Sequence, residues 1–168
     1  MVRGGGSDDF DAFFRREYHP LVGLAVVLTG DRAVAEDLAQ DALLAAHRKW
    51  AELADYDDPG AWVRRVVANR SASAWRRRAR ELRAMTRLAQ RRADAVLPLE
   101  PPDTEFWDAV RALPPRQAQC VALRYLEDRE IAEIAAILEI APSTVRVHLH
   151  EARRTLAQRL GETDEDDA

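Results

Sequence analysis

The chain has 168 residues, 47% hydrophobic and 32% charged, with 25 Lys and Arg against 29 Asp and Glu, for a formal net charge of -4. That length suits one compact domain or two small ones, each with a modest core. The apolar run Leu24–Leu28 is far too short for a membrane span, the start MVRGGGSDD lacks the apolar stretch of a secretory signal, and the single Cys120 excludes an internal disulfide. A cytoplasmic, reducing location without a membrane span is therefore expected.

In chain order, hydrophobic periodicity is helical throughout, with no sustained alternation of the kind a half-buried strand requires. A first helix begins near Asp8, with Phe10, Phe13, Phe14, Leu21, Leu24, Ala25 and Leu28 inward. Pro20 is expected to kink or break it. Thr29-Gly30-Asp31 ends this helix, and Asp31 caps the next, which places Val34, Leu38, Ala42 and Ala45 at helical spacing and runs to about Trp50. The segment AELADYDDPG reads as a polar connector. Its Asp58-Pro59 forms an N-cap and first-turn proline for a long helix carrying Trp62, Val63, Val66, Val67 and many arginines. ADAVLPLEPPD, with three prolines, marks a linker. Helices follow at about Thr104–Leu113, Pro115–Glu127, Arg129–Glu139 and Pro142–Leu160, before an acidic tail. The expectation is an all-α protein of two small helical domains, 1–92 and 104–160, joined by a flexible linker at 93–103 and ending in a tail at 161–168.

Charge is distributed unevenly. Residues 1–60 hold twelve acids and six bases, residues 93–168 sixteen acids and eight bases, and residues 61–92 eleven Arg against Glu81 alone. An acidic whole thus conceals one intensely basic segment, and local field is what attracts phosphate. Within WVRRVVANRSASAWRRRARELR, Asn69, Ser71 and Ser73 sit among the arginines as groups fit to contact bases. A solvated face, an RNA binder and a membrane-surface helix are the competing readings. Trp62 falls on the apolar stripe, as a core residue would, whereas Trp75 is a candidate stacking wedge.

Near the C-terminus, Ile131, Ile134, Ala135 and Leu138 make one stripe and Val145, Leu149, Ala152, Leu156 and Leu160 another, across a turn short enough to force a steep crossing. This fits a helix-turn-helix, with an αα-hairpin inside a bundle as the alternative. The second helix would present Ser143, Thr144, Arg146, Val147, His150 and Glu151 to DNA. In AEDLAQDALLAAHRKW the carboxylates have no His or Cys at ligand spacing, so neither a metal site nor acid/base catalysis is expected. His148 and His150 point to different faces. No cofactor is implied.

Taken together, DAFFRREYHPLVGLAVVLTGDRAVAEDLAQDALLAAHRKW, DPGAWVRRVVANRSASAWRRRAR and LPPRQAQCVALRYLEDREIAEIAAILEIAPSTVRVHLHEARRTL resemble, in order and spacing, the extracytoplasmic-function (group four) sigma factors of the bacterial sigma-70 family. The resemblance implies a non-catalytic factor giving core RNA polymerase its promoter specificity. Region two would hold the clamp helices of the largest subunit through Asp37, Gln40 and Asp41. It would open the minus-ten element through Asp55 and Tyr56 in the loop before the basic helix, with Asn69, Arg70, Ser73, Arg76 and Arg77 on that helix. Region four would read the minus-thirty-five element and sit on the flap of the second-largest subunit, and an anti-sigma factor is implied as a partner. The alternative is a stand-alone helix-turn-helix regulator. Two departures from the family pattern stand out: Glu139 occupies a turn position usually held by glycine, and Ser73 replaces an acidic residue. Val147, His148 and Glu151 stand where relatives are often basic or small.

Overall fold

The computed structural model describes residues 6–85 and 104–161, and those residues form eight helices with no strand among them. The N-terminal half contains α1 (Gly6–Thr29), α2 (Arg32–Arg48), α3 (Trp50–Leu53) and α4 (Pro59–Met85). The C-terminal half contains α5 (Thr104–Arg111), α6 (Pro115–Tyr125), α7 (Ile131–Leu138) and α8 (Pro142–Gly161). The expected linker and nearly all of the acidic tail lie outside the described residues.

Local chemistry accounts for most boundaries. Asp31 Oδ1 accepts from Val34 N at 3.1 Å and starts α2. Asp58 Oδ1 accepts from Ala61 N at 3.1 Å and starts α4, with Pro59 in the position where a missing N–H costs nothing. Gly30 closes α1 at φ 71°, its N–H reaching Val26 O at 2.7 Å. Pro20, expected to kink or break α1, leaves the helix unbroken. A helix-interior proline costs roughly 3 kcal/mol, and the fully buried Leu21 and Leu24 beside it offset that at about 1.5–3 kcal/mol each.

Two expectations about faces and two about element bounds are corrected. The buried stripe of α2 is Ala35, Ala39, Ala42, Leu43 and Ala46 rather than one centred on Val34 and Leu38, which are only half-buried. Alanines let α1 and α2 approach closely, since interaxial distance depends on the side chains at the contact. Phe14, expected inward, is 38% exposed and stacks on Tyr18. The polar connector opens with a turn of helix, α3, because Trp50 packs edge-on against Phe10 and tilted against Phe13 and pulls the chain back onto α1. In the C-terminal half α7 is shorter than expected at its N-terminal end, because Glu130 is extended at φ -71°, ψ 157° and caps the helix in a box with Glu133, whose carboxylate accepts from Glu130 N at 2.8 Å.

The two halves do not stand apart. α1 and α4 pack on α5, α6 and α7, and one continuous core runs through both.

Candidate nucleic-acid interface

On α2, Asp37, Gln40 and Asp41 are all exposed on the side opposite the alanine stripe, as a docking surface requires. On α4, Asn69, Arg70, Ser73, Arg76 and Arg77 are exposed as well. Spacings of four and three bring Asn69, Ser73 and Arg76 onto one face. Arg76 Nη2 donates to Ser73 Oγ at 3.2 Å, and that hydroxyl donates to Asn69 O at 3.2 Å. Arg70 Nη1 meets Asp41 Oδ2 at 2.8 Å, so one ion pair joins the acidic and the basic candidate surfaces. Both partners are largely exposed, and such pairs contribute only about 0.2–1 kcal/mol. In the preceding loop Asp55 and Tyr56 are exposed, and the Tyr56 hydroxyl donates to Glu52 at 3.1 Å, a hydrogen bond that raises its pKa above the ordinary value.

Two polar residues of α4 are turned inward, one of them, Ser71, expected to contact bases. Ser71 is buried. Arg64 is buried too, and lies between two carboxylates: its Nη1 is 2.7 Å from Glu17 Oε2 on α1, and its Nε is 2.6 Å from Glu127 Oε2, just beyond α6. The cluster extends at both ends, through Arg16 Nε to Glu17 at 2.9 Å and Arg129 Nε to Glu127 at 3.4 Å, giving alternating charge across the junction of the halves. Burial alone would raise the Glu17 carboxyl, but hydrogen bonds from Arg16 and Arg64 outweigh it and hold its pKa below 4.5. Gly60 makes room for the guanidinium: a Cβ there would lie 2.9 Å from Arg64 Nη1, and Gly60 O accepts from that nitrogen at 3.1 Å. A glycine one turn before an arginine was the available sequence signal.

The helix-turn-helix is built as its stripes indicate. Ile134, Ala135 and Leu138 of α7 and Val145, Leu149, Ala152 and Leu156 of α8 are buried, joined by Ile137. Ile131 and Leu160 are half-buried. Ser143, Arg146, Val147, His150 and Glu151 are exposed on one side of α8, and Thr144 is half-buried at its start. Glu151 Oε2 accepts from Gln117 Nε2 at 3.0 Å. Glu139 ends α7 in the left-handed region at φ 55°, ψ 45°. The turn therefore keeps the shape glycine would give it, while a side chain there costs about 1–2 kcal/mol. Cys120 is fully buried, which pushes its thiol up to about 12. Among the described residues no cluster of His, Cys, Asp and Glu suits a metal ion, and no helix is long and apolar enough to cross a membrane.

Comparison with known proteins agrees with this geometry. Sigma-70 region 2 matches residues 13–81, and Sigma-70, region 4 matches residues 103–156. The RNA polymerase sigma-E factor of Streptomyces avermitilis is 30% identical over 158 residues, covering 94% of this chain and 88% of that protein. The ECF RNA polymerase sigma factor SigM of Mycobacterium tuberculosis is 30% identical over 152 residues, covering 90% of this chain and 77% of that protein. In fold, the chain is similar to the sigma factor RpoE of Bartonella quintana, solved in complex with the anti-sigma factor NepR, at a TM-score of 0.70 and 24% identity over 92% of this chain and 98% of that one. An exposed, Arg-rich helix following an acidic one, an exposed recognition helix, and these two matched regions in this order place the chain in the sigma-70 family, among its extracytoplasmic-function sigma factors.

Proposed function

We propose that the chain directs promoter-specific initiation by bacterial RNA polymerase in the cytoplasm, with no catalysis of its own. Asp37, Gln40 and Asp41 dock on the clamp helices of the largest subunit. Asp55 and Tyr56 form one wall of a pocket for an extruded minus-ten base, and Asn69, Arg70, Ser73, Arg76 and Arg77 track the separated strand. Extrusion costs a few kcal/mol, which a pocket and a basic groove offset. Ser143, Thr144, Arg146, Val147, His150 and Glu151 face the minus-thirty-five element, and the C-terminal half rests on the flap of the second-largest subunit. An anti-sigma protein restrains the factor, as the relative solved with NepR is bound by one.

The observation that carries this reading is the pairing, in one chain, of an exposed recognition helix with a second exposed face of Asn, Ser and Arg on α4. A duplex-binding regulator needs only the first. Elements named by positions ten and thirty-five lie about 25 base pairs apart, roughly 85 Å of duplex at 3.4 Å per pair. Because α4 and α7 touch, the two halves must separate for one chain to reach both. In vitro transcription with purified core polymerase and a promoter library tests the function. Transcripts that depend on the added chain are expected, whereas an operator footprint by the chain alone, without such transcripts, would favour the regulator.

A further inference from the structure

Alongside the packing of α4 on α7 within the shared core, one arginine of α4 makes three polar contacts with the end of α7 and the turn after it. Arg65 Nη1 lies 2.6 Å from Glu139 Oε1, Arg65 Nε donates to Ile137 O at 3.0 Å, and Arg65 Nη2 donates to Ala136 O at 3.2 Å. Those two carbonyls belong to the last turn of α7, where no intrahelical N–H is left to satisfy them and the helix dipole is negative. An arginine from the N-terminal half therefore caps a helix of the C-terminal half. The arrangement is reciprocated by Arg111 of α5, whose Nη1 donates to Val27 O in the last turn of α1 at 3.3 Å.

Arg65 also precedes Asn69 and Ser73 at intervals of four, on the face of α4 that also carries Arg76. Its guanidinium is thus an extension of the proposed minus-ten surface, and in this structure it is occupied by a carboxylate. That carboxylate sits on a residue with a strained backbone: at φ 55° glycine would hold the same turn without penalty, but glycine has no side-chain carboxylate to offer Arg65.

We propose that Glu139 is an internal anion that occupies Arg65 while α7 is packed on α4, so that in the closed chain Arg65 is withheld from nucleic acid and passes to a DNA phosphate only when the halves part. The proposal rests on the sigma-factor reading, since it assigns α4 to the opened strand. It explains why a strained acid stands in the turn: the side chain acts across the junction rather than within the helix-turn-helix. Arg65 then has two exclusive states, capping α7 with its pair to Glu139 or contacting the nucleic acid backbone. The carboxylate is two-thirds exposed, so the pair is reversible and sensitive to salt.

The test uses the full chain and a 12-nucleotide oligothymidylate as the single-stranded probe, with wild type, Glu139→Gly, Arg65→Ala and the double variant. Glycine suits the left-handed position, so Glu139→Gly retains the turn. It is expected to bind the probe about two- to five-fold more tightly than wild type, the range an exposed ion pair is worth. The double variant is expected to lose that gain. Equal affinities of wild type and Glu139→Gly would overturn the proposal. An undiminished gain in the double variant would also overturn it, because removing any acid would then suffice. Transcription with core polymerase, run in parallel on the wild type, separates the two readings: its absence counts against the sigma-factor function, whereas the probe affinities alone decide the role of Glu139.

Discussion

Replacing Arg64 by Met removes the cation from the centre of the buried cluster and leaves Glu17 and Glu127 facing the gap, with side chains only 9% and 8% exposed. Breaking a buried pair by deleting one partner costs about 3–5 kcal/mol, because the remaining charge has lost its compensation. Arg16 still reaches Glu17 and Arg129 still reaches Glu127, so the lower end, about 3 kcal/mol, is expected. That is a large share of a total stability of roughly 5–15 kcal/mol. With a urea slope of about 2 kcal/mol/M, the midpoint of unfolding followed by circular dichroism should fall by roughly 1.5 M. Replacing the whole triad, Glu17→Leu, Arg64→Met and Glu127→Leu, removes the unpaired charges as well, and buried ion clusters exchanged for apolar groups are often neutral. A loss below about 1 kcal/mol for Arg64→Met, or a triple variant as damaged as the single one, would refute the account of Arg64 as a desolvated charge held by its partners.

Acid should undo the same cluster. The folded pKa of Glu17 lies below its ordinary 4.5, so the unfolded chain binds more protons as pH falls; the contribution of Glu17 is complete above about pH 4.5 and is lost below it. Urea midpoints measured from pH 6 to pH 3 should therefore fall less steeply in Glu17→Gln than in wild type, and parallel profiles would contradict the shift. Gly30→Ala places a Cβ at φ 71° and 2.9 Å from Arg111 Nε, at a cost of about 1–2 kcal/mol and a Tm loss of roughly 2–8 °C in a thermal scan. Gly23→Ala, with nothing within 4 Å, should leave Tm unchanged or raised, and equal behaviour of the two variants would show that Gly30 is not held by its backbone.

What could be read from the sequence was what is local. Asp31 before a helical run, Asp58-Pro59, and two stripes separated by a short turn each act within about four residues, and each sits where its chemistry requires. Apolar periodicity misplaced the inner face of α2 because alanine carries little hydrophobic weight, although it is what close helix contact selects. Arg64 could not be separated from its neighbours by pattern: its partners lie 47 and 63 residues away, and a buried guanidinium looks like an exposed one in sequence. The same limit applied to Glu139, whose departure from glycine was visible while its partner, 74 residues away on α4, was not.

The non-local pairings also bear on why a chain of net charge -4 carries so basic a helix. On the proposed function the acids of α2 use part of the surplus in docking on polymerase, and the ion pairs of α4 use another part. Among the described residues of α4, Arg64 holds Glu17 and Glu127, Arg65 holds Glu139, and Arg70 holds Asp41. A guanidinium neutralised in this way has little free charge with which to displace counterions from DNA, and the salt dependence of binding counts phosphates neutralised, about 0.7 per contact on a single strand. Arg64, buried, adds nothing to that slope, whereas Arg65 and Arg70 add to it only after giving up an acid. The basic segment is thus partly neutralised by the chain's own carboxylates, and on the proposed function this weakens its hold on nonspecific DNA while leaving Arg65 and Arg70 to a strand brought to them by the polymerase. A factor that must leave random DNA to find core enzyme gains from that arrangement, since the exposed pairs are worth no more than about 1 kcal/mol each and open readily once docking raises the local concentration of the strand.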